Sequence, residues 1–267
     1  MSASVALAHY ALPEEAFLSR LMAARLLLPT SVPGIYGRSA TFVQLLGGLE
    51  RLLTRLGRTE ATQVWQCPPV LPHNAIEKYD RSPAFPHPRH VPEASMGDLA
   101  LAPAACCYVY PSLTGTLPHA GRIVDIESWC YRSAPSLNPM QMRAFRMREF
   151  VHAGTAEQAL AFRKGWVARA QALFASLGLT TTIQQHGETL DLIVPLLGGE
   201  CPTALVSANY HQHHFGQLFE IRTHEGETAH TACIAFGMER LALALLAEHG
   251  LQPTKWPQAL RERLNLH

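Results

Sequence analysis

Four arginines crowd the stretch Trp129 to Val151, WCYRSAPSLNPMQMRAFRMREFV: Arg132, Arg143, Arg146 and Arg148. The spacing predicts two strands joined by a Pro-containing loop, with Arg132 near the end of the first and Phe145 to Val151 on the second. Side chains alternate across a strand, so Phe145, Met147 and Glu149 share one face and Arg146 and Arg148 the other. A ring and a carboxylate on one pocket face suit an adenine and an amine. An exposed hairpin with a solvated arginine face fits the same residues. Further on, Thr231 to Leu245, TACIAFGMERLALAL, predicts a strand running into Gly237 and then a helix that opens with Glu239 and Arg240. Glycine permits close backbone approach, and an arginine in the first turn can project over a ligand lying on the sheet. A strand-to-helix turn with a charged pair is equally ordinary in α+β proteins. No Gly-rich P-loop is present and no Gly-x-Gly-x-x-Gly follows a strand, so an ATP site in this chain must use arginines.

Other groups with chemical potential are the histidines His211, His213 and His214 and six cysteines: Cys67, Cys106, Cys107, Cys130, Cys201 and Cys233. A His-x-His on a strand can clamp a metal. The 267 residues carry 22 basic against 21 acidic side chains, a net charge of +1, which leaves no global basic field for a nucleic-acid backbone. Apolar stretches such as Ile234 to Ala247 are interrupted by Glu239 and Arg240 and fall short of the roughly 18 to 20 residues a membrane span needs. Met1 to Pro13 has no basic region ahead of an apolar run, so no secretory signal is expected. That places the chain in a reducing cytoplasm, where the cysteines serve as core residues, thiol ligands or reactive groups.

The elements that must position these groups follow from periodicity. A helix is expected over Glu14 to Leu28, stopped by Pro29, and a second after Ser39 as N-cap, with Phe42, Leu45, Leu46, Leu49, Leu52, Leu53 and Leu56 on one face and Gly57 as its end. His73 to Pro103 is rich in Pro, His and charge and reads as a long surface excursion. Strands are expected at Cys107 to Tyr110 and Arg122 to Arg132. Thr155 and Gln158 form a capping-box signature for a helix reaching Leu177. Further strands are expected at Thr180 to Gln184, Leu190 to Pro195, Thr203 to Asn209, Gln217 to Arg222 and Thr231 to Phe236, before a helix at Met238 to His249. Strands clustered without intervening helices argue for an antiparallel sheet, hence an α+β fold in one domain spanning residues 1–267.

Arginine on a strand, loop, aromatic ahead of a Glu, and then Gly-x-x-Arg opening a late helix resemble motifs 2 and 3 of class II aminoacyl-tRNA synthetases. The chain is similar over most of its length to the amino acid:[carrier protein] ligases. These resemble the catalytic domain of atypical, zinc-dependent seryl-tRNA synthetases without a tRNA-binding domain. GIYGRS, CPPVLP, RSPAFPH, LAPAACCYVYP, GTAEQALAFRKGW, SANYHQHHFG and HTACIAFGMERLALALLAEHG carry the likeness.

The resemblance implies an antiparallel sheet flanked by helices, a homodimer, and a two-step reaction. A small amino acid, ATP and Mg²⁺ give an aminoacyl adenylate, and the phosphopantetheine thiol of a carrier protein then takes the acyl group; tRNA is not a partner. It implies that Arg132 binds the α-phosphate, that Phe145 and Arg240 sandwich adenine, and that Ser207, Asn209 and His211 line the substrate and Mg·ATP pocket. It implies a zinc ion held by Cys106, Glu149 and Cys233 with a fourth position open to the substrate amine. Cys107 is the alternative to Cys106, since strand alternation turns only one of them inward. A basic face of Arg163, Lys164 and Arg169 is the candidate for meeting an acidic carrier. Three departures stand against the pattern: Ala134 where a glutamate is expected, Gln141 in place of a loop arginine, and a shortened segment between Leu177 and Pro202. Ala134 and the shortened segment favour a second reading, a paralogue that has lost adenylation and acts as an aminoacyl-binding or transfer module, while Arg132, Arg240 and the zinc constellation oppose it.

Overall fold

The structure, a computed structural model, describes residues 14–59, 62–80, 98–134, 136–196 and 203–266. Helix α1 (Glu14–Ala23) opens with Glu14 and Glu15, where exposed N–H groups favour negative charge. It ends earlier than Leu28. The Leu26 N–H reaches back to the Leu21 carbonyl at 2.9 Å and Arg25 adopts φ 54°, a Schellman-type closure that turns the chain into an extended course. That course forms β1 (Leu27–Pro29), paired antiparallel with β2 (Tyr36–Arg38). Helix α2 (Ala40–Gly57) starts as expected, with the Ser39 side chain accepting from the Phe42 N–H, and buries Phe42, Leu45, Leu46, Leu49, Leu52 and Leu53.

After β3 (Thr62–Gln66) and β4 (Val70–Pro72), the expected excursion begins as helix α3 (His73–Asp80). Residues 81–97 of it lie outside the described residues, and β5 (Leu99–Leu101) returns to pair with β4. The strand expected over Cys107 to Tyr110 is replaced by two successive 3-10 turns, Ala105–Tyr108 and Tyr110–Leu113. Pro111 near the start of the second has a fixed φ and no N–H, which suits a first helical turn and not a strand ladder. Cys106 and Cys107 are both fully buried as a result, so the alternation argument that admitted one of them does not apply.

A short β6 (Gly115–Thr116) leads into the long pair β7 (Arg122–Tyr131) and β8 (Ala144–Gly154). Helix α4 (Ala156–Ser176) has the predicted capping box, with Thr155 and Gln158 each satisfying the other's backbone N–H. Then come β9 (Thr182–His186), β10 (Thr189–Val194) and β11 (Thr203–Gln212). Gln212 at φ 52° and Glu220 at φ 53° bend the chain where a strand over Gln217 to Arg222 was expected. The segment folds instead as helix α5 (His214–Leu218) and a two-residue β12 (Ile221–Arg222). Strand β13 (His230–Gly237) runs directly into α6 (Met238–His249), and α7 (Gln258–Leu264) follows.

Seven strands form one sheet in the order β3-β7-β8-β13-β11-β10-β9. Every neighbouring pair is antiparallel except β3 with β7, so the α+β expectation holds with one parallel edge. One face is covered by α2, α4 and α6. Phe150 stacks on Trp166 of α4 at 4.0 Å between ring centroids, and Trp166 meets Phe236 edge-on at 6.0 Å. Arg148 also points to this side. Its guanidinium clamps the Asp125 carboxylate through two bonds of 2.9 and 2.6 Å and reaches the Glu50 carbonyl and Thr54 hydroxyl of α2, so it is a buried tie and not a solvated charge. The other face carries Val124, Ile126, Val151 and Cys233 beneath the 3-10 turns and Phe215. No described helix is long and apolar enough to cross a membrane.

Gly57 marks how closely α2 lies on the sheet: a Cβ at that position would overlap the Phe150 ring. In an open helix, alanine would stabilise by up to about 1 kcal/mol. Here overpacking should dominate, so Gly57→Ala is expected to destabilise by about 1–3 kcal/mol. Denaturant unfolding checks this, and a midpoint equal to or above that of the parent would refute the close approach.

Candidate functional site

The uncovered part of the second face holds a cavity of about 640 Å³ at the centre of the sheet. Alternation along β8 turns Phe145, Met147 and Glu149 into it, and β13 contributes Cys233, Ala235 and Gly237. Strand β11 adds Ser207, Asn209 and His211, and the end of β13 hands over to Glu239 and Arg240 at the start of α6. All the site residues expected from sequence thus line a single cavity: Cys106, Arg132, Phe145, Glu149, Ser207, Asn209, His211, Cys233 and Arg240.

At one end, ligand atoms of Cys106, Glu149 and Cys233 all lie within 4.8 Å of one another. Cys106 reaches the cluster because the first 3-10 turn folds over β8, and its backbone N–H donates to Glu149 Oε1 at 3.0 Å. Cys107 is not in the cluster; its carbonyl accepts from the Tyr79 hydroxyl at 2.6 Å. Burial raises the Glu149 carboxyl above its usual range and pushes the Cys106 thiol well up. The Cys233 thiol is driven up by its hydrogen bond with Cys106 and by burial. Three acids that resist ionisation in a dry site are a donor set that a cation would ionise. Two thiolates and one carboxylate match zinc, and three protein ligands leave a fourth tetrahedral position open. Asn209 supports the set. Its Nδ2 donates to Cys233 Sγ at 3.5 Å while its Oδ1 accepts from the Thr189 hydroxyl at 2.7 Å.

His211 packs alongside. Its Nδ1 lies 3.2 Å from the Thr231 hydroxyl, its Nε2 lies 3.8 Å from Cys233 Sγ, and burial lowers its pKa to about 3, so the ring is neutral. His213 and His214 do not line the cavity. His213 meets His230 at 5.9 Å between ring centroids, and among the described residues no second group of three metal-ligating side chains exists.

The other end is cationic. Arg132 lies 5.0 Å over the Phe145 ring, and its Nη1 donates to the Pro103 and Tyr131 carbonyls at 2.6 and 2.8 Å. Arg240 donates to the Met140 and Ala204 carbonyls at 2.7 and 3.0 Å, bridging the 3-10 turn Pro139–Gln141 and β11. Burial, then the Arg132 charge, lowers the Arg240 pKa to about 10, against an opposing pull from Asp191. Two guanidiniums in one concave site make it receptive to phosphate. Ala134 and Gln141 line this end, so the positions that depart from the resemblance do border the cavity.

Three features escaped the sequence. Arg38, inside GIYGRS, donates to Glu239 Oε1 at 3.0 Å, while Glu239 Oε2 accepts the Arg146 N–H at 2.7 Å; the buried glutamate thereby fixes the turn that carries Arg240. Tyr110 stacks on Phe215 at 4.0 Å and walls His211. Asp191, Thr189 and His186 enter from the β9–β10 hairpin, so the shortened segment still builds a wall of the cavity. Alternation of Thr189, Asp191 and Ile193 along β10 was the signal available for them.

No protein-family model matches the chain. It is 35% identical over 280 residues to amino acid–[acyl-carrier-protein] ligase 2 of Bradyrhizobium diazoefficiens, across 88% of this chain and 84% of that protein. Ligase 1 of the same organism is 34% identical over 279 residues, across 87% of this chain and 85% of its own length. Among solved structures, the M. kandleri SerRS bound to A. aeolicus tRNASec matches with a TM-score of 0.77 at 18% identity, over 96% of this chain and 61% of that one. That likeness shows the class II aminoacyl-tRNA synthetase catalytic fold expected from motifs 2 and 3.

Elemental analysis of protein purified without chelator tests the cluster. Bound zinc near one per chain is expected, with a large loss in Cys106→Ser or Cys233→Ser and none in Cys107→Ser. Equal zinc content in all of these would remove the assignment.

Proposed function

Because the chain belongs to the amino acid–[acyl-carrier-protein] ligases, we propose that it activates a small amino acid with ATP and passes the aminoacyl group to the phosphopantetheine thiol of a carrier protein. The observation that carries this reading is the polarity of one cavity, with a soft donor cluster at one end and two arginines at the other. Cys106, Glu149 and Cys233 would hold zinc, which when bound supplies a Lewis-acid position for a neutral amine. Met147, Asn209 and His211 line the cavity with them.

With the amine held there, the substrate carboxylate points toward Arg132. One carboxylate oxygen attacks the α-phosphorus of ATP, the bond to the bridging oxygen breaks, and pyrophosphate leaves. No side-chain base is needed, since the nucleophile is already anionic. Arg132 would offset charge on the α-phosphate, and Phe145 with Arg240 would flank adenine. In the second step the carrier thiolate attacks the acyl carbon, a thioester forms, and AMP departs with the mixed-anhydride oxygen. Arg163 and Arg169, expected to face the carrier, are partly occupied at home: Arg163 donates to the Glu188 carbonyl at 2.6 Å, and Arg169 lies 4.0 Å over Trp166. Lys164 stays exposed on the same helix for an acidic partner.

A second reading draws on Ala134, which leaves no carboxylate two residues after Arg132. On this view the chain no longer forms adenylate and binds or transfers an aminoacyl group made elsewhere. Amino-acid-dependent exchange of labelled pyrophosphate into ATP separates the two. The ligase reading expects exchange with one or a few small amino acids, abolished in Arg132→Ala, and a carrier mass increase by the aminoacyl group. ATP binding without exchange for any of the twenty amino acids would favour the transfer module instead.

A further inference from the structure

Carboxylates and imidazoles are the side chains best suited to take a proton near neutral pH, and five of them line the cavity among the described residues: Glu149, Asp191, Glu239, His186 and His211. Four are turned inward or engaged. Glu149 belongs to the thiol cluster, and Glu239 is held by Arg38 and by the Arg146 N–H. His211 is buried between the Thr231 hydroxyl and Cys233 Sγ, and Asp191 has its Oδ1 shut off from solvent. His186 alone of the five is exposed, at the end of β9 beside the turn at Gly187. It is the one base in the cavity wall that a group arriving from outside meets first.

Strand register gives its position relative to the reacting groups. His186 pairs with Thr189 on β10, Thr189 with Asn209 on β11, and Asn209 with Cys233 on β13, one row across the cavity face. The next row runs through Asp191, Ser207, Ala235 and Glu149, and beyond it Gly237 opposes Met147 where α6 begins and brings Arg240. His186 therefore lies in the row of a cluster thiol, on the side away from the arginines. Three strand spacings, about 14 Å, separate the His186 and Cys233 backbones. The imidazole extends into that span from one side and an amino acid held at the cluster from the other, so a sulfur entering at the mouth passes between ring and acyl carbon. The adenylate phosphate, drawn to Arg132 and Arg240, leaves toward the opposite end.

We propose that His186 is the general base of the transfer step, taking the proton of the phosphopantetheine thiol as it enters the cavity. A thiol is a weak nucleophile until it becomes a thiolate, and imidazole is the side chain matched to that task near neutrality. The S–H bond breaks and its proton goes to an imidazole nitrogen. The sulfur electron pair forms the bond to the acyl carbon, the bond from that carbon to the phosphate oxygen breaks, and AMP leaves with the oxygen and the electron pair. The imidazolium returns its proton to solvent at the mouth. The proposal rests on the transfer step argued above and not on activation by ATP, and it gives the hairpin of the shortened segment a catalytic part.

The test supplies synthetic glycyl and alanyl adenylates to the full, zinc-loaded chain, so that transfer is read separately from activation. Thioester formation is followed by quenched flow and mass spectrometry with two free thiols as acceptors. One is phosphopantetheine; the other is trifluoroethanethiol, a more acidic thiol that ionises near neutrality without help. In His186→Gln, transfer to phosphopantetheine should slow about 100-fold, at the lower end of general-base effects, and transfer to trifluoroethanethiol less than about fivefold. Equal slowing with both thiols would mean that the residue shapes the mouth and moves no proton, which refutes the proposal. A variant as fast as the parent with phosphopantetheine refutes it as well. A parent that passes neither adenylate to either thiol faster than the uncatalysed reaction would overturn this proposal together with the transfer step, while pyrophosphate exchange would still report on activation.

Discussion

Strand β8 imposes the constraint on which both faces of the sheet depend, because a shift of one residue in its register would exchange them. Phe145, Met147 and Glu149 face the cavity, while Arg148 and Phe150 face the helices. Arg148 ties α2 to Asp125 of β7, and Phe150 fills the space that Gly57 leaves open. Replacing one partner of a buried, hydrogen-bonded ion pair costs about 3–5 kcal/mol, so the register that seats Arg148 is strongly specified. The position of Glu149 is fixed by the same event. Packing on the far side of the sheet therefore decides where a candidate metal ligand stands on the near side.

The cavity then sorts charge by the partners given to each arginine. Arg38 and Arg148, neither of which lines it, end on the carboxylates of Glu239 and Asp125. Arg240 ends on two neutral carbonyls, and burial followed by the Arg132 charge brings its pKa down to about 10 in spite of the Asp191 carboxylate. At the opposite end, the thiols of Cys106 and Cys233 are pushed up together with the Glu149 carboxyl. One end of the cavity is thus held in a state that an anion relieves and the other in a state that a cation relieves. A zwitterion-derived substrate joined to a phosphate spans both needs.

What could be read in the sequence was whatever rests on short-range signals. Ser39 and the Thr155–Gln158 box set helix starts through local hydrogen bonds, and alternation in β8 follows from strand geometry alone, so both came out correctly. The Cys106–Cys107 pair did not, since a four-residue apolar run has no periodicity to separate a strand from a 3-10 turn, and only Pro111 hinted at the latter. Arg25, Gln212 and Glu220 take left-handed backbone conformations at non-glycine residues, which leave little mark in sequence; Arg25 closes the first helix early, Gln212 ends β11 three residues beyond the expected strand, and Glu220 interrupts the strand expected over Gln217 to Arg222. The Arg38–Glu239 pair spans 201 positions and depends on how β2 docks against α6, which no local pattern encodes.

Legibility of the site was uneven for the same physical reason. Cys106, Glu149 and Cys233 come from a turn and two strands far apart in the chain, and their residue types alone fit buried packing as well as ligation. Their convergence within 4.8 Å brings three ligand atoms within reach of one cation, an arrangement that residue types and spacing alone do not reveal. Asn209 adds to this end of the cavity, its amide aimed at the Cys233 sulfur by Thr189 from the next strand. A donor turned toward a thiol stabilises the thiolate more than the neutral group, so its placement makes sense when that sulfur carries charge. The strand that orients Asn209 is β10, which also carries Asp191. The hairpin of the shortened segment therefore bears on both ends of the cavity, and its remaining length is enough to pair with β11 along Thr189–Val194.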